Sequence, residues 1–533
     1  MAGQTFTPWR LWPALAVSLV LLNASLTFEN VWPTPRIRWG DALSLELAVC
    51  VLLLAVAHRR AEPWARRVLP AIWVALVAGR YLDVTAPGLY GREFNLYWDS
   101  QHLGNVAAML ARAAPWWLIA SAAGVTLLAV GIVYVLARLA FSQIVAAVSH
   151  RGARLALGSL AAAAVALFTS QQLWTGLSVP VAFADPVTPA YFRQARFVAG
   201  MMGPGVVAPS LGPSPALEHE LGGLGGADVL LIFAESYGAV AYETPAIAAG
   251  LAESRADFEA AIHETGRHVV SAYVESPTFG GSSWLAHLSL LSGVEVRDQY
   301  AYTSLMASRR DTLITNFSRR GYRTVALMPG MRQAWPEGAF YRFDAIYGRD
   351  ALAYEGPQFG WWSIPDQYAL AKLDALERHR APRAPLFVVF PTSTTHAPFG
   401  PVAPYQTDWP RVLRQDAFDE AEVERAMAEV PDLTNLGPSY ARAMAYEFRS
   451  FAGYLRAQRN GLVLIVIGDH QPPAAVSGRD APWHVPVHVI GNARHVLQRL
   501  VEHGFRDGLE PARPSIGGMH ALVPKLLDAF DEP

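Results

Sequence analysis

The chain has 533 residues, of which 52% are hydrophobic and only 17% charged, with a formal net charge of −2; its mean hydropathy is +0.19. It is poorer in charge than an ordinary soluble protein and too long for one ordinary domain. It has no basic stripe or Lys/Arg tract of the kind that holds nucleic acid, and with Cys50 its only cysteine it can form neither an internal disulfide nor a Cys-based metal site.

The apolar excess falls in the first third. Five stretches, near 11–28, 41–57, 68–83, 116–137 and 154–171, approach the ~20 apolar residues that cross a hydrocarbon core ~30 Å thick. The third is the weakest, because Arg80 interrupts it. The first reads as an anchor, since further spans follow it and no small-residue cleavage site is evident. Arg59, Arg60, Arg66 and Arg67 lie between spans two and three, and Arg138, Arg151 and Arg154 between spans four and five. By the positive-inside rule both loops are cytoplasmic, although Arg36 and Arg38 in the first outer loop pull the other way. Five spans then carry everything after residue 172 outside. The loop from Gly91 to Asp99, with the amphipathic stretch to Ala113, mixes aromatic and charged residues as the lipid–water interface favours.

Residues 172–226 lose the membrane pattern; 192–198 suits an interfacial helix, and 203–226 is a Gly/Pro-rich linker without a GxGxxG fingerprint. From 227 the pattern changes again. Apolar, β-branched runs at 229–233, 324–327, 386–390, 462–467 and 485–490 alternate with amphipathic stretches at 247–265, 311–320, 366–379 and 436–459. Continuous apolar strands alternating with helices predict an α/β domain with a largely parallel sheet covered on both faces. The expected layout is a five-span helical membrane domain over 1–171, a linker over 172–226 and the α/β domain over 227–533.

The residues at the ends of these runs carry the chemistry. The first run ends in Ala234-Glu235-Ser236-Tyr237-Gly238, the second leads to Met328-Pro329-Gly330-Met331-Arg332, the third to Thr392-Ser393-Thr394-Thr395-His396-Ala397-Pro398, and the fourth to Gly468-Asp469-His470-Gln471. Ligands of open α/β sheets bind at the carboxyl ends of the strands, so four strands aim polar groups at one crevice. Two carboxylates and an imidazole from Glu235, Asp469 and His470 suit a divalent metal, Zn²⁺ or Mn²⁺. Taken one at a time, a Glu after a strand is ordinarily a cap or surface charge, and Gly-Asp-His an ordinary turn.

The segment Gly280-Gly281-Ser282-Ser283-Trp284 reads as a loop entering a helix whose apolar face includes Leu285, Leu288 and Leu291. Glycines allow close backbone approach to a ligand, and a helix N-terminus favours phosphate. A serine there is either an N-cap or a nucleophile activated by a metal. Both serines come after the glycines, so composition does not choose between them; Ser283 stands nearer the helical pattern.

These motifs resemble the alkaline phosphatase/sulfatase superfamily, and within it the membrane-anchored lipoteichoic-acid synthases and lipid A phosphoethanolamine transferases. The resemblance implies five membrane helices and an extracytoplasmic sulfatase-like domain at the inner membrane, on the periplasmic side. It further implies Glu235, Ser283, Asp469 and His470 as metal ligands, Ser283 as nucleophile and His396 as the histidine at the phosphate or leaving group. His484, in Pro482-Trp483-His484-Val485-Pro486, resembles a further substrate-binding histidine near the metal, and Arg332 with Trp335 a head-group pocket. The chain departs from that branch in having Ser where it has Thr, in lacking cysteines for its disulfides, and in lacking the Cys/Ser-x-Pro-x-Arg motif of formylglycine sulfatases.

The expected activity is transfer of a phosphoethanolamine or phosphoglycerol head group from a membrane phospholipid donor to an envelope glycan or lipid A-type acceptor, through a phospho-serine. The rival readings are a sulfatase-like hydrolase or phosphodiesterase, with water as acceptor, and a non-catalytic lipid-binding relative of the fold.

Overall fold

The computed structural model describes residues 8–31, 36–90, 93–101, 103–104, 107, 115–173, 182–202, 211–331, 335–360, 364–379, 382–458, 461–478 and 480–532. The chain forms two compact units, one of Met1–Gly88 with Arg92–Val206, the other of Leu89–Gly91 with Val207–Pro533.

The first unit is helical: α1 (Pro8–Thr27), α2 (Leu45–Arg67), α3 (Leu69–Tyr90), α4 (Trp116–Ser149), α5 (Arg151–Leu173) and α6 (Val187–Met202). Among the described residues, three segments are long and apolar enough to cross a membrane: Leu69–Pro87, Trp116–Ser149 and Arg151–Leu173. The other two expected spans coincide with shorter apolar stretches, Trp12–Thr27 and Leu45–Ala57. In α2 the apolar run stops where His58, Arg59 and Arg60 begin. Leu127 is 73% exposed on α4 and Leu160 70% on α5, an apolar surface of the kind that lipid rather than water covers. Arg80, the charge that interrupts the third apolar stretch, is satisfied inside the unit. Its Nε donates to the Phe28 carbonyl at 2.9 Å and Nη1 to that of Asp185 at 3.3 Å. Glu46 accepts from the Val187 N–H at 2.6 Å and the Thr188 N–H at 3.2 Å, placing a carboxylate at the positive end of α6. That helix contains the stretch read as interfacial, and Phe192 on it is exposed.

The second unit is built on an eight-stranded sheet: β1 (Asp228–Ala234), β2 (His268–Glu275), β3 (Arg323–Leu327), β4 (Ala345–Tyr347), β5 (Leu386–Pro391), β6 (Leu462–Gly468), β7 (His484–Gly491) and β8 (Arg506–Asp507). Their order is β8-β2-β7-β6-β1-β5-β3-β4. β6, β1, β5, β3 and β4 pair in parallel, while β7 and β8 run antiparallel to their neighbours. The sheet is therefore mixed and mostly parallel. β1 shows why the apolar runs are continuous: Val229, Leu231 and Phe233 enter one core, and Leu230, Ile232 and Ala234 enter the core on the opposite face. α7 (Pro245–Glu264) and α9 (Gly437–Ala457) cover the second face, where Phe258 and Phe448 stack with ring centroids 5.9 Å apart. α8 (Ser283–Ser292) and α10 (Leu522–Phe530) contribute Leu288 and Leu526 to the first. Each such fully buried side chain contributes about 1.5–3 kcal/mol.

Part of the stretch read as linker joins this core: Leu217, Leu221 and Leu224 are buried in it. β2 does not belong to the continuous apolar runs of the sequence. His268 and Glu275 bound it and Ser271 interrupts it, although all six residues between the two ends are buried. Running antiparallel to β7, which runs antiparallel to β6, β2 ends at the same sheet edge as the parallel strands.

Candidate active site

Four elements meet at that edge. β1 delivers Glu235, β6 delivers Asp469 and His470, β5 leads to the loop 392–398, and β2 leads through the glycine loop to Ser283 at the start of α8. The local backbone is fixed by hydrogen bonds between the loops. The Glu235 N–H donates to Thr392 Oγ1 at 3.1 Å. Ser236, with a φ of 57°, turns the chain so that its own N–H donates to Asp469 Oδ1 at 2.8 Å. The His470 N–H donates to the same oxygen at 2.7 Å. Gly468, just before Asp469, has no room for a Cβ, because the Tyr237 carbonyl lies against it.

One oxygen of Asp469 is thus spent on the backbone. The other, Oδ2, is buried without a hydrogen-bond partner. It lies 3.6 Å from His470 Nε2. His470 Nδ1 is 2.7 Å from the Gln471 carbonyl, which can only accept, so Nδ1 carries a proton, and in the neutral ring the Nε2 lone pair faces the cluster. That nitrogen is 3.1 Å from Ser283 Oγ and 3.4 Å from Glu235 Oε1. Ser283 Oγ donates to Glu235 Oε2 at 3.0 Å.

The glycine loop makes this approach possible. Gly280 and Gly281 have φ of 66° and 145°, and the Gly280 N–H donates to the Gln471 carbonyl at 3.1 Å, tying the serine loop to the Asp-His loop. The geometry separates the two serines. Ser282 is the residue before α8, left-handed at φ 63°, with no side-chain cap bond; Ser283 is the first helical residue, with its hydroxyl in the cluster.

Ligand atoms of Glu235, Asp469 and His470 lie within 4.8 Å of one another. Glu235 is 9% and Asp469 0% exposed, and among the described ion pairs neither carboxylate meets an Arg or Lys. Burial, and then the Glu235 carboxylate, push Asp469 up to about 6; a bound cation would pull it the other way. Two adjoining buried carboxylates, an unpartnered Oδ2 and a bare imidazole nitrogen fit a divalent ion with O and N ligands.

His396 comes after β5, its Nδ1 2.7 Å from the Ala397 carbonyl. Burial pushes it below the ordinary histidine range, and it lies within electrostatic reach of His470 and Asp469. His484 is not brought into the cluster: its ring stacks on Tyr273 with centroids 6.2 Å apart, and Arg513 and Glu243 act on it. Trp335 packs against Tyr341 at the margin of the core, with ring centroids 5.5 Å apart. Arg332 lies outside the described residues.

Sequence reasoning passed over two supporting groups. Asp366, at the head of a helix over Asp366–Leu373, accepts from the backbone N–H and hydroxyl of both Ser393 and Thr394, fixing the loop that leads to His396. His287 stands one helical turn beyond Ser283, its Nε2 4.0 Å from Asp469 Oδ2. The spacing of four from Ser283 was the signal for it.

No family model and no curated protein sequence matches the chain. Solved structures do. The lipooligosaccharide phosphoethanolamine transferase of Neisseria meningitidis is 15% identical over 97% of this chain and 96% of that one, with a TM-score of 0.45. The lipoteichoic acid synthase LtaP of Listeria monocytogenes is 13% identical over 60% of this chain and 78% of that one, with a TM-score of 0.37. A Vibrio parahaemolyticus protein of the alkaline phosphatase superfamily is 17% identical over 55% of this chain and 66% of that one, with a TM-score of 0.33. All three likenesses lie at 17% identity or below and TM-scores of 0.45 or below.

Proposed function

We propose that the chain is a membrane-anchored, metal-dependent phosphotransferase that moves a phospholipid head group, phosphoethanolamine or phosphoglycerol, to a cell-envelope acceptor. The observation that carries this reading is the Ser283 hydroxyl, held 3.0 Å from Glu235 and 3.1 Å from His470 at the first turn of α8. Glu235, Asp469 and His470 would hold a zinc or manganese ion, with Ser283 Oγ beside them; that charge favours the ionised hydroxyl and offsets the negative phosphoryl group. The helix start adds backbone N–H groups that favour an anion.

In the first half-reaction the Ser283 Oγ–P bond forms and the P–O bond to diacylglycerol breaks, the serine proton ending on the leaving diacylglycerol oxygen. In the second, the acceptor hydroxyl attacks phosphorus, the serine ester breaks and a proton returns to Ser283 Oγ. His396 is assigned to the phosphate or leaving-group oxygen. Anchoring has a physical logic: donor and leaving lipid are both insoluble, so a site held at the bilayer meets them at high effective concentration. This reading takes five spans and an external site. Reporter fusions after residue ~145 then read cytoplasmic and those after ~200 external.

The test is covalent trapping. The full chain in lipid is given a phospholipid labelled in its head-group phosphate, quenched and mapped by peptide. The label is expected on Ser283. A label on Ser282, or turnover with no labelled serine, overturns the assignment, and release of the free head group without an acceptor marks a hydrolase.

A further inference from the structure

Two buried polar atoms near the cluster lack partners and face each other. Asp469 Oδ2 and His287 Nε2 are both without hydrogen bonds, and they stand 4.0 Å apart. Leaving either unsatisfied costs about 1–3 kcal/mol, so the pairing calls for an explanation. The imidazole is held in place from behind: the Phe233 ring lies against it with centroids 4.3 Å apart and a tilt of 42°. Its backbone is held by the helix that also presents Ser283, four residues earlier on the same face.

We propose that His287 is a positioning residue for the metal site, donating its Nε2–H to Asp469 Oδ2 and so fixing the direction of that carboxylate toward a bound ion. The inference rests on the reading that Glu235, Asp469 and His470 hold a divalent metal. The group whose ligand atoms gather within 4.8 Å consists of those three residues and leaves His287 out, so His287 acts on the ion through Asp469. A carboxylate oxygen has two lone pairs, enough for one ion and one N–H. Asp469 Oδ1 already takes two backbone N–H groups, from Ser236 and His470. With His287 on Oδ2 the carboxylate is held from both ends, and one lone pair is left for the ion. The 4.0 Å separation is about 1 Å beyond a hydrogen bond, a gap that the proposal requires to close when the ion is bound. In either protonation state the imidazole can carry hydrogen on Nε2, so the role does not depend on its titration.

The test reads metal binding, not transfer. Full-length protein in lipid nanodiscs is stripped of metal and titrated with zinc, and in parallel with manganese, against a competing chelator at neutral pH. The variants are His287→Ala, His287→Gln and wild type. His287→Ala is expected to weaken affinity by roughly 10–100-fold, the range for partners that orient a ligand. His287→Gln is expected to recover most of that loss, because its amide N–H can reach the same oxygen. Melting of the metal-free protein separates positioning from packing against Phe233. Equal affinity in His287→Ala and wild type overturns the inference and leaves the metal site standing. So does an affinity loss that His287→Gln fails to rescue while both variants lower the metal-free melting temperature alike. A changed cobalt ligand-field spectrum in His287→Gln would make His287 a direct ligand and overturn it too. Wild type that binds neither metal overturns the functional reading itself, and this inference with it.

Discussion

The two ends of strand β1 each hold a buried acid, and the fold treats them oppositely. At the start, Asp228 is 2% exposed and is met by Arg383 at 2.6 and 2.7 Å and by Arg378 at 3.0 Å, with the Leu386 N–H at 2.9 Å. At the other end, Glu235 and its neighbour Asp469 have histidines and a serine for company and, among the described ion pairs, no arginine or lysine. A buried carboxylate is stable only when something neutralises it. At the start of the strand the chain supplies that charge itself; at the end it supplies none, and under the proposed function the charge is left to an ion. If that reading holds, a structural acid and a functional acid can be told apart by what surrounds them, even at the two ends of one strand.

The largest expected effect tests whether the far end is chemical at all. Ser283→Ala should reduce transfer to background, a loss on the order of 10⁴–10⁶-fold as for other essential groups of a catalytic serine site. The fold should be unchanged, because Ser282, not Ser283, holds the position before the helix. Ser282→Ala should keep substantial activity, and Ser283→Thr should keep some, since the hydroxyl survives. Near-normal turnover in Ser283→Ala, measured with the same labelled donor, would remove the chemical half of the comparison.

The contrast between the ends is sharpened by neutralising each acid in turn. Asp469→Asn and Glu235→Gln should lose bound metal by elemental analysis, because each removes an anionic ligand. Asp228→Asn should leave metal content unchanged and lower stability by about 3 kcal/mol, since it removes the charge that two guanidiniums share, one of them, Arg378, buried. If all three variants lose metal, or if none of them does, the two ends are not different in kind.

The amino-acid sequence makes some of this legible and some not. The continuous runs of β1, β5 and β6 are readable because both faces of those strands are buried, so the residues on their ends can be assigned to one edge. The Asp469-His470 pair and Glu235 are then visible as a group. What cannot be read is side-chain direction. His484 stands at the start of β7, at the same edge, and only the alternation of the strand decides that its ring lies on Tyr273. β2 hides because its polar residues Ser271 and Glu275 interrupt the apolar run. With it goes the explanation of how the glycine loop reaches Gln471, a contact made by a backbone N–H and a carbonyl that no side chain announces.

The smallest expected effect concerns an acid between the two extremes. Asp531, near the end of the chain, has a side chain 27% exposed. It accepts from the Leu221 N–H at 2.9 Å and pairs with His219 at 2.7 Å, fastening the segment that leads into β1. Burial works against its ionisation, but the hydrogen bonds from Leu221 and His219 outweigh it and hold Asp531 below the ordinary carboxylate range. A depressed carboxyl contributes stability that is fully present above its unfolded value, about 3.9, and is lost as pH falls through the lower folded value. Asp531→Asn should therefore lower the melting temperature by no more than about 2 °C at neutral pH, the scale of a solvent-screened pair. The gap between variant and wild type should close as pH falls through the carboxylate range. Added salt should narrow it at neutral pH, whereas the Asp228→Asn defect should respond far less, because that pair is buried. A gap that stayed open after Asp531 is protonated, well below the ordinary carboxylate range, would mean that Asp531 acts through something other than its charge, and would detach this latch from the comparison of acids.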